Sequence, residues 1–400
     1  MKTGVATMSL DTGRCPRWLF ERMKRLGRGI ASAIVEEFGP EEFLKRLSDP
    51  IWFQSLACVI GFDWNSSGAT TTTLGALKAG VFGLERELGI FICGGKGKTS
   101  RKTPEQIQKW GEFLGFSQEK IKKLVYASKI SAKVDSSALQ DGFQIYHHNL
   151  IFTKEGKYTV VQQGMNTEIQ KARRYHWHSI KVKDLSTSSR YNFLEEPHSG
   201  IISGAKVKPL NLTAKESREN KDISTELVKE EPKTFLKDIK SIVETEPQTS
   251  SQNQRSLVLG GSLIKKKRIG NFTEMELYDK EFYWHPVVKE RFDLKRLKKT
   301  IEKAHFLKPE NFENLLMTQG VGPKTIRALS LVSEIIYGAK PSYEDPARYS
   351  FSVGGKDGTP FFVQKGVYNE LLNVIEKGIK KAKISNREKV EAQRRLANVF

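Results

Sequence analysis

The sequence predicts an α/β N-terminal domain, in which helices surround a mixed sheet, and a smaller all-α C-terminal domain. Three observations support this fold class. Apolar residues recur with helical spacing from Leu19 to Ile30. Continuous apolar runs at residues 55–62 and 89–93 have the length and character of buried strands. From about residue 256 the patterns are almost entirely helical.

The elements of residues 1–202 follow in order. Pro16 opens an amphipathic helix, Gly39-Pro40 ends it, and residues 41–47 add a short second helix. The apolar runs at 55–62 and 89–93, with a helix between them that begins near Thr70, predict a β-α-β unit. Strands at 143–153 and 158–162, separated by a Gly-containing turn, predict a hairpin.

The chain is strongly basic. Its 66 Lys and Arg residues exceed its 46 Asp and Glu residues, which gives a formal net charge of +20. Such an excess favours a polyanionic partner, and nucleic acid is the simplest one. The three cysteines lie far apart without a Cys-x-x-Cys pair, which excludes a cysteine-built zinc or iron–sulfur site.

No membrane partner is expected. The apolar runs are far too short to span a bilayer, and no signal sequence is recognised at the start. The expected location is cytoplasmic. Residues 203–255 are rich in Lys, Glu, Ser and Thr, with Phe235 as the only aromatic residue. This composition predicts a flexible charged linker before the domain at 256–400.

The stretch Gly320-Val321-Gly322-Pro323-Lys324-Thr325 separates two helical patterns, at residues 309–317 and 323–337. It resembles a helix-hairpin-helix motif, which in many repair enzymes contacts DNA backbone without reading sequence. Glycines permit close approach of a phosphate, and the amides of a helix N-terminus attract an anion. The nucleic-acid-binding residues expected here are Gly320, Gly322, Lys324, Thr325 and Arg327. A plain helical hairpin with a tight turn is the alternative.

A second Gly-rich segment, residues 94–102, carries four cations, and Lys96 and Lys98 are expected to contact phosphates. Its Gly97-Lys98-Thr99 matches the end of a P-loop, but Ile92 stands where the first glycine of that motif belongs. An ATPase is therefore excluded. A surface loop without a ligand is the competing interpretation.

Residues 126–178 concentrate carboxylates, amides, an Arg pair and four of the seven histidines. One interpretation is a phosphodiesterase site, in which Asp135, Asp141 and Asp63 hold Mg²⁺ or Mn²⁺ near Lys133. Asp63 qualifies because it follows the predicted strand at 55–62, where α/β folds place active-site groups.

Two other interpretations remain open. His148-Asn149-Leu150 distantly resembles the His-x-Lys hairpin of phospholipase-D-type nucleases, with Leu150 in place of the lysine. Alternatively, Arg173 and Arg174 bind phosphates while neighbouring aromatic residues stack on unpaired bases. For any single histidine, a structural role inside the core is the simplest explanation.

The chain also resembles an uncharacterised family of archaeal and bacterial proteins catalogued as domain of unknown function 763. The longest stretch that carries the resemblance runs from Asp49 to Lys78, "DPIWFQSLACVIGFDWNSSGATTTTLGALK". Others are "GGKGKTSRKTP", "AKVDSSALQDG", "VVQQGMN", "ARRYHW" and "FSVGGKDGTP". The resemblance implies no established activity.

The C-terminal domain suggests a further alternative. In helix-hairpin-helix DNA glycosylases with lyase activity, a lysine directly after the hairpin attacks the sugar, and an Asp about twenty residues later assists. Lys324 and Asp345 stand at these positions in the resemblance, although Pro346-Ala347 replaces the usual Thr-His.

The function expected from the sequence is DNA processing, as a metal-dependent nuclease of repair or recombination. The expected catalytic residues are Asp63, Asp135, Asp141 and His148, with Asp135 and Asp141 as metal ligands. The alternatives are the glycosylase and a non-catalytic nucleic-acid-binding protein. RNA is not excluded as a substrate, and the sequence leaves the oligomeric state open.

Overall fold

The computed structural model describes residues 10, 15–61, 67–180, 193–244, 268–269, 272–273, 292–347, 365–381 and 384–399. The helices of the N-terminal half are α1 (Arg17–Phe38), α2 (Pro40–Ser48), α3 (Pro50–Ile60), α4 (Gly68–Val81), α5 (Glu85–Leu88), α6 (Thr103–Phe113) and α7 (Gln118–Lys133). Those that follow are α8 (Arg218–Leu227), α9 (Pro232–Glu244), α10 (Leu294–Leu307), α11 (Phe312–Met317), α12 (Pro323–Ile335), α13 (Lys365–Lys381) and α14 (Asn386–Val399). The strands are β1 (Ile90–Lys96), β2 (Leu139–Gln140), β3 (Gln144–Thr153), β4 (Tyr158–Asn166), β5 (Lys171–His178), β6 (His198–Ser203), β7 (Leu210–Asn211), β8 (Arg268–Ile269) and β9 (Phe272–Thr273).

The main sheet has five strands in the order β1-β3-β4-β5-β6. The predicted strand at 89–93 and the predicted hairpin are confirmed as β1 and as β3 with β4. The predicted mixed sheet is wrong, because every pairing within these five strands is antiparallel. The β-α-β unit is therefore wrong as well.

The error lies in the strand predicted at 55–62, since residues 55–60 belong to helix α3 and residue 62 lies outside the described residues. A short apolar run is compatible with either element when it is buried on all sides. The residues before it decide the matter: the carboxylate of Asp49 caps the helix by accepting from the amides of Ile51 (2.8 Å) and Trp52 (3.2 Å). Pro50 then occupies the first helical position, where its missing N–H costs nothing.

The sheet lies between two helical layers. Successive side chains of a strand point to opposite faces, so Phe91 and Val160 pack toward one layer while Ile92 and Val161 pack toward the other. The first layer contains α6 and α7, with α8 to α12 behind them. The second contains α1 to α4 together with α13 and α14.

The predicted flexible linker also needs correction. Of residues 203–255, the structure describes 203–244, and these include β7, α8 and α9. Phe235 and Ile239 are fully buried in the core shared with α10 and α12. The segment has few apolar residues, but these pack against the apolar helix α12 and are buried there. The composition of the segment alone does not show that a distant helix buries them.

The prediction of an all-α domain at 256–400 is confirmed only in part. Residues 268–269 and 272–273 pair as the short strands β8 and β9, whereas the described residues from 292 onward form helices α10 to α14, apart from an isolated bridge at Ser342. These helices separate: α10 to α12 pack on one face of the sheet, whereas α13 contacts α1 and α14 contacts α3 on the other. Surface ion pairs join α13 and α14 to α1: Arg25 lies 2.9 Å from Glu388, and Lys377 lies 2.6 Å from Glu37. Within the described parts of the chain, no helix has the length and apolar character required to cross a membrane.

Candidate functional site

Polar side chains occupy one half of the five-stranded sheet, in rows that run across the strands. One row, formed by residues directly opposite each other on neighbouring strands, contains Lys96, His147, Gln163 and Arg174. The next row contains His148, Gln162 and Tyr175. Adjacent rows point to opposite faces, so the polar residues form two separate clusters, one against each helical layer.

The first cluster is centred on Asp135, which is fully buried in a π-helical turn, Val134–Ala138, at the end of α7. One carboxylate oxygen lies 2.5 Å from Nε2 of His198. The other accepts hydrogen bonds from the side-chain amide of Gln162 and from the indole of Trp177, the latter at 2.9 Å. π-helical turns occur frequently at functional sites, and this one places a carboxylate inside the protein with its oxygens occupied.

His148 extends this network. Its Nδ1 lies 2.8 Å from Oε1 of Gln162, and its Nε2 lies 2.9 Å from Oγ of Ser128. Because the Gln162 amide nitrogen already donates to Asp135 and to the Ser131 carbonyl (3.0 Å), Oε1 must accept. His148 therefore carries its proton on Nδ1, and Nε2 accepts from the Ser128 hydroxyl. Burial lowers the pKa of His148, which keeps the ring neutral.

Asp141 belongs to a different network, centred on Arg173. The guanidinium lies 2.9 Å from Asp141 and makes two bonds to Asp345, at 3.1 and 2.8 Å. All three side chains are almost completely buried. The Tyr175 hydroxyl donates to Asp141 at 2.7 Å. Burial raises the pKa of Asp141 to about 6, against the opposing effects of Arg173 and Tyr175.

Arg174 lies on the other face and is also fully buried. Its Nε donates to Nε2 of His176 at 2.8 Å, and the His176 Nδ1 bonds to the Leu47 carbonyl at 2.9 Å. The Nη1 of Arg174 donates to the side chains of Gln54 and Thr70, at 3.1 and 3.2 Å, and its Nη2 donates to the Pro50 carbonyl at 3.4 Å. Burial lowers the pKa of Arg174 to about 9. Neither Arg173 nor Arg174 exposes its guanidinium to solvent, so neither presents the phosphate-binding group that the sequence predicted.

The two predicted loop cations are placed differently. Lys96 ends β1 and Lys98 lies in the 3₁₀ turn that follows, Gly97–Lys102. Both side chains are exposed. The Lys96 ammonium lies 5.9 Å from the centre of the Tyr146 ring. The phosphate contact predicted for these lysines is therefore sterically open.

The predicted C-terminal site is a turn between α11 and α12. Gly320 has a φ of +100°, which favours glycine, and Gly322 forms the N-cap of α12. Val321 is buried, and Lys324 is exposed with its ammonium 5.6 Å from the centre of the Phe292 ring. Thr325 is buried and Arg327 is half-buried, so these two lie behind the surface of the turn.

The predicted catalytic residues are thus divided. Asp135 and His148 share one network, Asp141 belongs to another, and Asp63 lies outside the described residues. Among the residues that the structure describes, no group of three or more His, Cys, Asp or Glu side chains could hold a metal ion. The Mg²⁺ or Mn²⁺ site remains a prediction.

Sequence reasoning missed Gln162 and His198 as partners in these networks, and it interpreted Trp177 as a residue that stacks on bases, whereas its indole donates to Asp135. A signal for Gln162 existed, because β4 places polar residues on consecutive positions where a two-sided buried sheet is otherwise apolar. No comparable signal marks His198, which comes to Asp135 only through the pairing of β6 with β5.

Comparison with known proteins gives one match. Residues 4–363 match the family described as "Protein of unknown function (DUF763)". The chain belongs to this family. The match covers the sheet, both polar clusters, the α11–α12 turn and Asp345, and it ends before α13. No curated protein and no solved structure matches the chain.

The Arg173 network predicts a large effect of Asp345 on stability in this family member. Asp345→Asn should lower the free energy of unfolding by about 3 kcal/mol, because it removes one partner of a buried ion pair. Urea denaturation measures the change. Glu344→Gln, at the neighbouring exposed position, is the matched control and should change the free energy by less than about 0.5 kcal/mol. Equal effects of the two variants would contradict the structural role.

The buried histidines predict acid sensitivity. Burial lowers the pKa of His147 to about 3 and of His178 to about 4, and it also lowers those of His148 and His176. Below about pH 6.5 the unfolded chain therefore binds more protons than the folded one, and stability falls as the pH falls. Burial raises the pKa of Asp141 and of Glu313, which has the opposite effect, but these are two groups against four.

Urea denaturation at pH 7.5 and pH 5.0 tests this expectation. The free energy of unfolding should be lower at pH 5.0, and His147→Gln should reduce the difference because glutamine does not titrate. Greater stability of the wild-type protein at pH 5.0 would show that the carboxylates, and not the histidines, dominate the pH dependence.

Proposed function

We propose that the protein binds nucleic acid, with DNA as the expected partner, and that the α11–α12 turn contacts the phosphate backbone. The observation that carries the proposal is the N-terminus of α12. Its N-cap is Gly322, which has no side chain, and Pro323 and Lys324 follow on the exposed surface. The first amides of a helix attract an anion, and α12 is 13 residues long.

The surface around Gly322 is open. A Cβ atom built at this position would meet no atom within 4 Å. The φ of Gly322 is −145°, which any residue can adopt. A glycine with neither a crowded neighbour nor an unusual φ is therefore not needed for the fold, and close approach of a ligand to the backbone explains it.

Positive charge lies on the α10 side of the turn. Helix α10 lies beside it, since Lys303 donates to the Gln319 side chain at 2.6 Å. The exposed cations of α10 are Lys295, Arg296, Lys298, Lys299 and Lys303. Its only acidic residue is Glu302, which lies 3.8 Å from Lys298. A basic surface of this kind supplies the sequence-independent part of nucleic-acid affinity.

The turn is also held rigidly. The ammonium of Lys133, at the end of α7, donates to the Val321 carbonyl. The Gln140 side chain donates to the Pro323 carbonyl at 2.9 Å. Bonds to both sides of Gly322 fix the backbone before any ligand arrives, and such preorganisation reduces the entropic cost of binding. These features support a helix-hairpin-helix role, in which phosphate contacts position the protein and read no sequence.

Binding of labelled duplex and single-stranded oligonucleotides tests the proposal. Gly322→Ala and Lys324→Ala should each weaken binding, the first by obstructing the backbone and the second by removing a charge. Lys324→Ala should also reduce the slope of log affinity against log salt by about 1. Thermal unfolding should show that both variants keep the wild-type stability.

Lys154→Ala is the matched control, since Lys154 is an exposed cation at the β3–β4 turn, at the opposite end of the sheet. If the control weakens binding as much as Lys324→Ala does, net charge and not the turn determines affinity. Full affinity of Gly322→Ala would count against the turn directly.

A metal-dependent nuclease is the second candidate. The observation in its favour is that Asp135, His148 and His198 come together in one hydrogen-bonded network. A carboxylate paired with histidines can bind a cation or activate a water molecule. The glycosylase alternative finds less support, because both oxygens of Asp345 accept bonds from Arg173.

Cleavage of end-labelled DNA in Mg²⁺, in Mn²⁺ and in EDTA tests the nuclease. Cleavage should require metal, and Asp135→Asn should abolish it while binding persists. Gln140→Ala, which removes a contact to the turn, should instead weaken binding and leave the turnover of bound DNA unchanged. Cleavage by Asp135→Asn at the wild-type rate would rule out this carboxylate as the metal ligand.

A further inference from the structure

His147 is buried without the bonds that a buried imidazole normally makes. Its residue is 1% exposed, and neither ring nitrogen forms a hydrogen bond of normal geometry with another described residue. A buried polar group left in this state destabilises the fold, and such groups in native proteins usually have a ligand, an ion or a water molecule as partner.

The neighbours of His147 are arranged around it by the sheet. Lys96 lies directly opposite on β1, and Gln163 lies directly opposite on β4. A β-bulge between Ile145 and His147 brings the Tyr146 side chain beside Gln163, and the Tyr146 hydroxyl accepts a hydrogen bond from the Gln163 amide at 2.5 Å. Bulges are common next to functional sites because they redirect a side chain.

The charge around His147 is positive. Burial lowers its pKa to about 3, and His148, Lys96 and Lys78 lower it further, against the opposing effect of the neighbouring Asn149 side chain. The Lys78 ammonium is half-buried and donates to the Gly94 carbonyl and to Gln106, both at 2.8 Å. From Lys96 to Lys102 the chain adds cations and no acidic residue.

We propose that the Lys96 cluster, defined as Lys78, Lys96, Tyr146, His147 and Gln163, binds a phosphate group. Neutral His147 donates its ring N–H to a phosphate oxygen, and Lys96 supplies the charge from the exposed side. The phosphate belongs either to a nucleic-acid backbone or to a free phosphorylated molecule. This site is separate from the α11–α12 turn and does not depend on it.

The position of the Lys96 cluster suits a polynucleotide. Ser128 of α7 contacts His148, which is the residue next to His147. Five residues later α7 ends at Lys133, which contacts the turn at Val321. The cluster and the turn therefore lie at the same end of the sheet but on opposite faces, because the consecutive residues His147 and His148 point to opposite sides. A polynucleotide that touches both sites has to pass around the end of the sheet.

The first experiment titrates the full-length protein, labelled at histidine, with inorganic phosphate and follows the ring signals by NMR. The signal of His147, identified by its loss in His147→Gln, should shift saturably, and its pKa should rise because a bound anion favours the protonated ring. Lys96→Ala should weaken phosphate binding by about tenfold or more, whereas Lys154→Ala should leave it unchanged.

Two results would contradict the proposed site. One is the absence of a saturable shift of the His147 signal in the wild-type protein, and the other is an equal loss of phosphate affinity in Lys96→Ala and Lys154→Ala. If His147→Gln does not fold, the comparison of wild type with Lys96→Ala still decides, because Lys96 is exposed.

The second experiment distinguishes the source of the phosphate and separates this site from the turn. A single-stranded oligonucleotide that displaces inorganic phosphate identifies the backbone as the ligand. Phosphate binding that an oligonucleotide leaves intact identifies a free phosphorylated molecule. Gly322→Ala should keep the wild-type affinity for inorganic phosphate, and loss of that affinity would place the site at the turn and overturn the proposal.

Discussion

One buried guanidinium, that of Arg173, joins the C-terminal segment to the sheet. It lies between Asp141 and Asp345, which are 204 positions apart in the chain. The removal of three charges from water is costly, and additional hydrogen bonds must offset that cost. The Tyr175 hydroxyl and the Val207 amide provide them. Residues that suggest catalysis in the sequence therefore hold the structure together, and this constraint governs how the rest of the protein is interpreted.

The interior and the surface of the protein carry different charged groups. The half of the sheet that carries polar rows has its carboxylates and guanidinium groups turned into the two helical layers, where other side chains satisfy them. What remains accessible is positive charge, at Lys96 and around Gly322. Both surfaces suit phosphate groups, and they lie at one end of the sheet. The proposed backbone binding uses these exposed cations, whereas hydrolysis would have to use buried carboxylates.

A structural element is predicted correctly from the sequence when the residues that determine it lie within a few positions of one another. Helix α1 and the hairpin of β3 and β4 were predicted correctly, since their periodicity and turn residues act within a few positions. The helix α3 was mistaken for a strand because a run that is buried on all sides has no periodicity. The predicted linker at 203–255 contains α8 and α9, because their few apolar side chains are covered by α12, which is far away in sequence.

The sequence by itself determined the net positive charge, the Gly-rich turn before Pro323 and the helices on either side of it, because these depend on composition and on neighbouring residues. Only the tertiary structure decided the fate of the polar residues. Alternation along β5 turns Arg173 and Arg174 to opposite faces, and different side chains of the sheet bond to Asp135 and to Asp141. The helical layers then bury all four. Burial and partners arise from contacts between distant segments, and no local pattern records them.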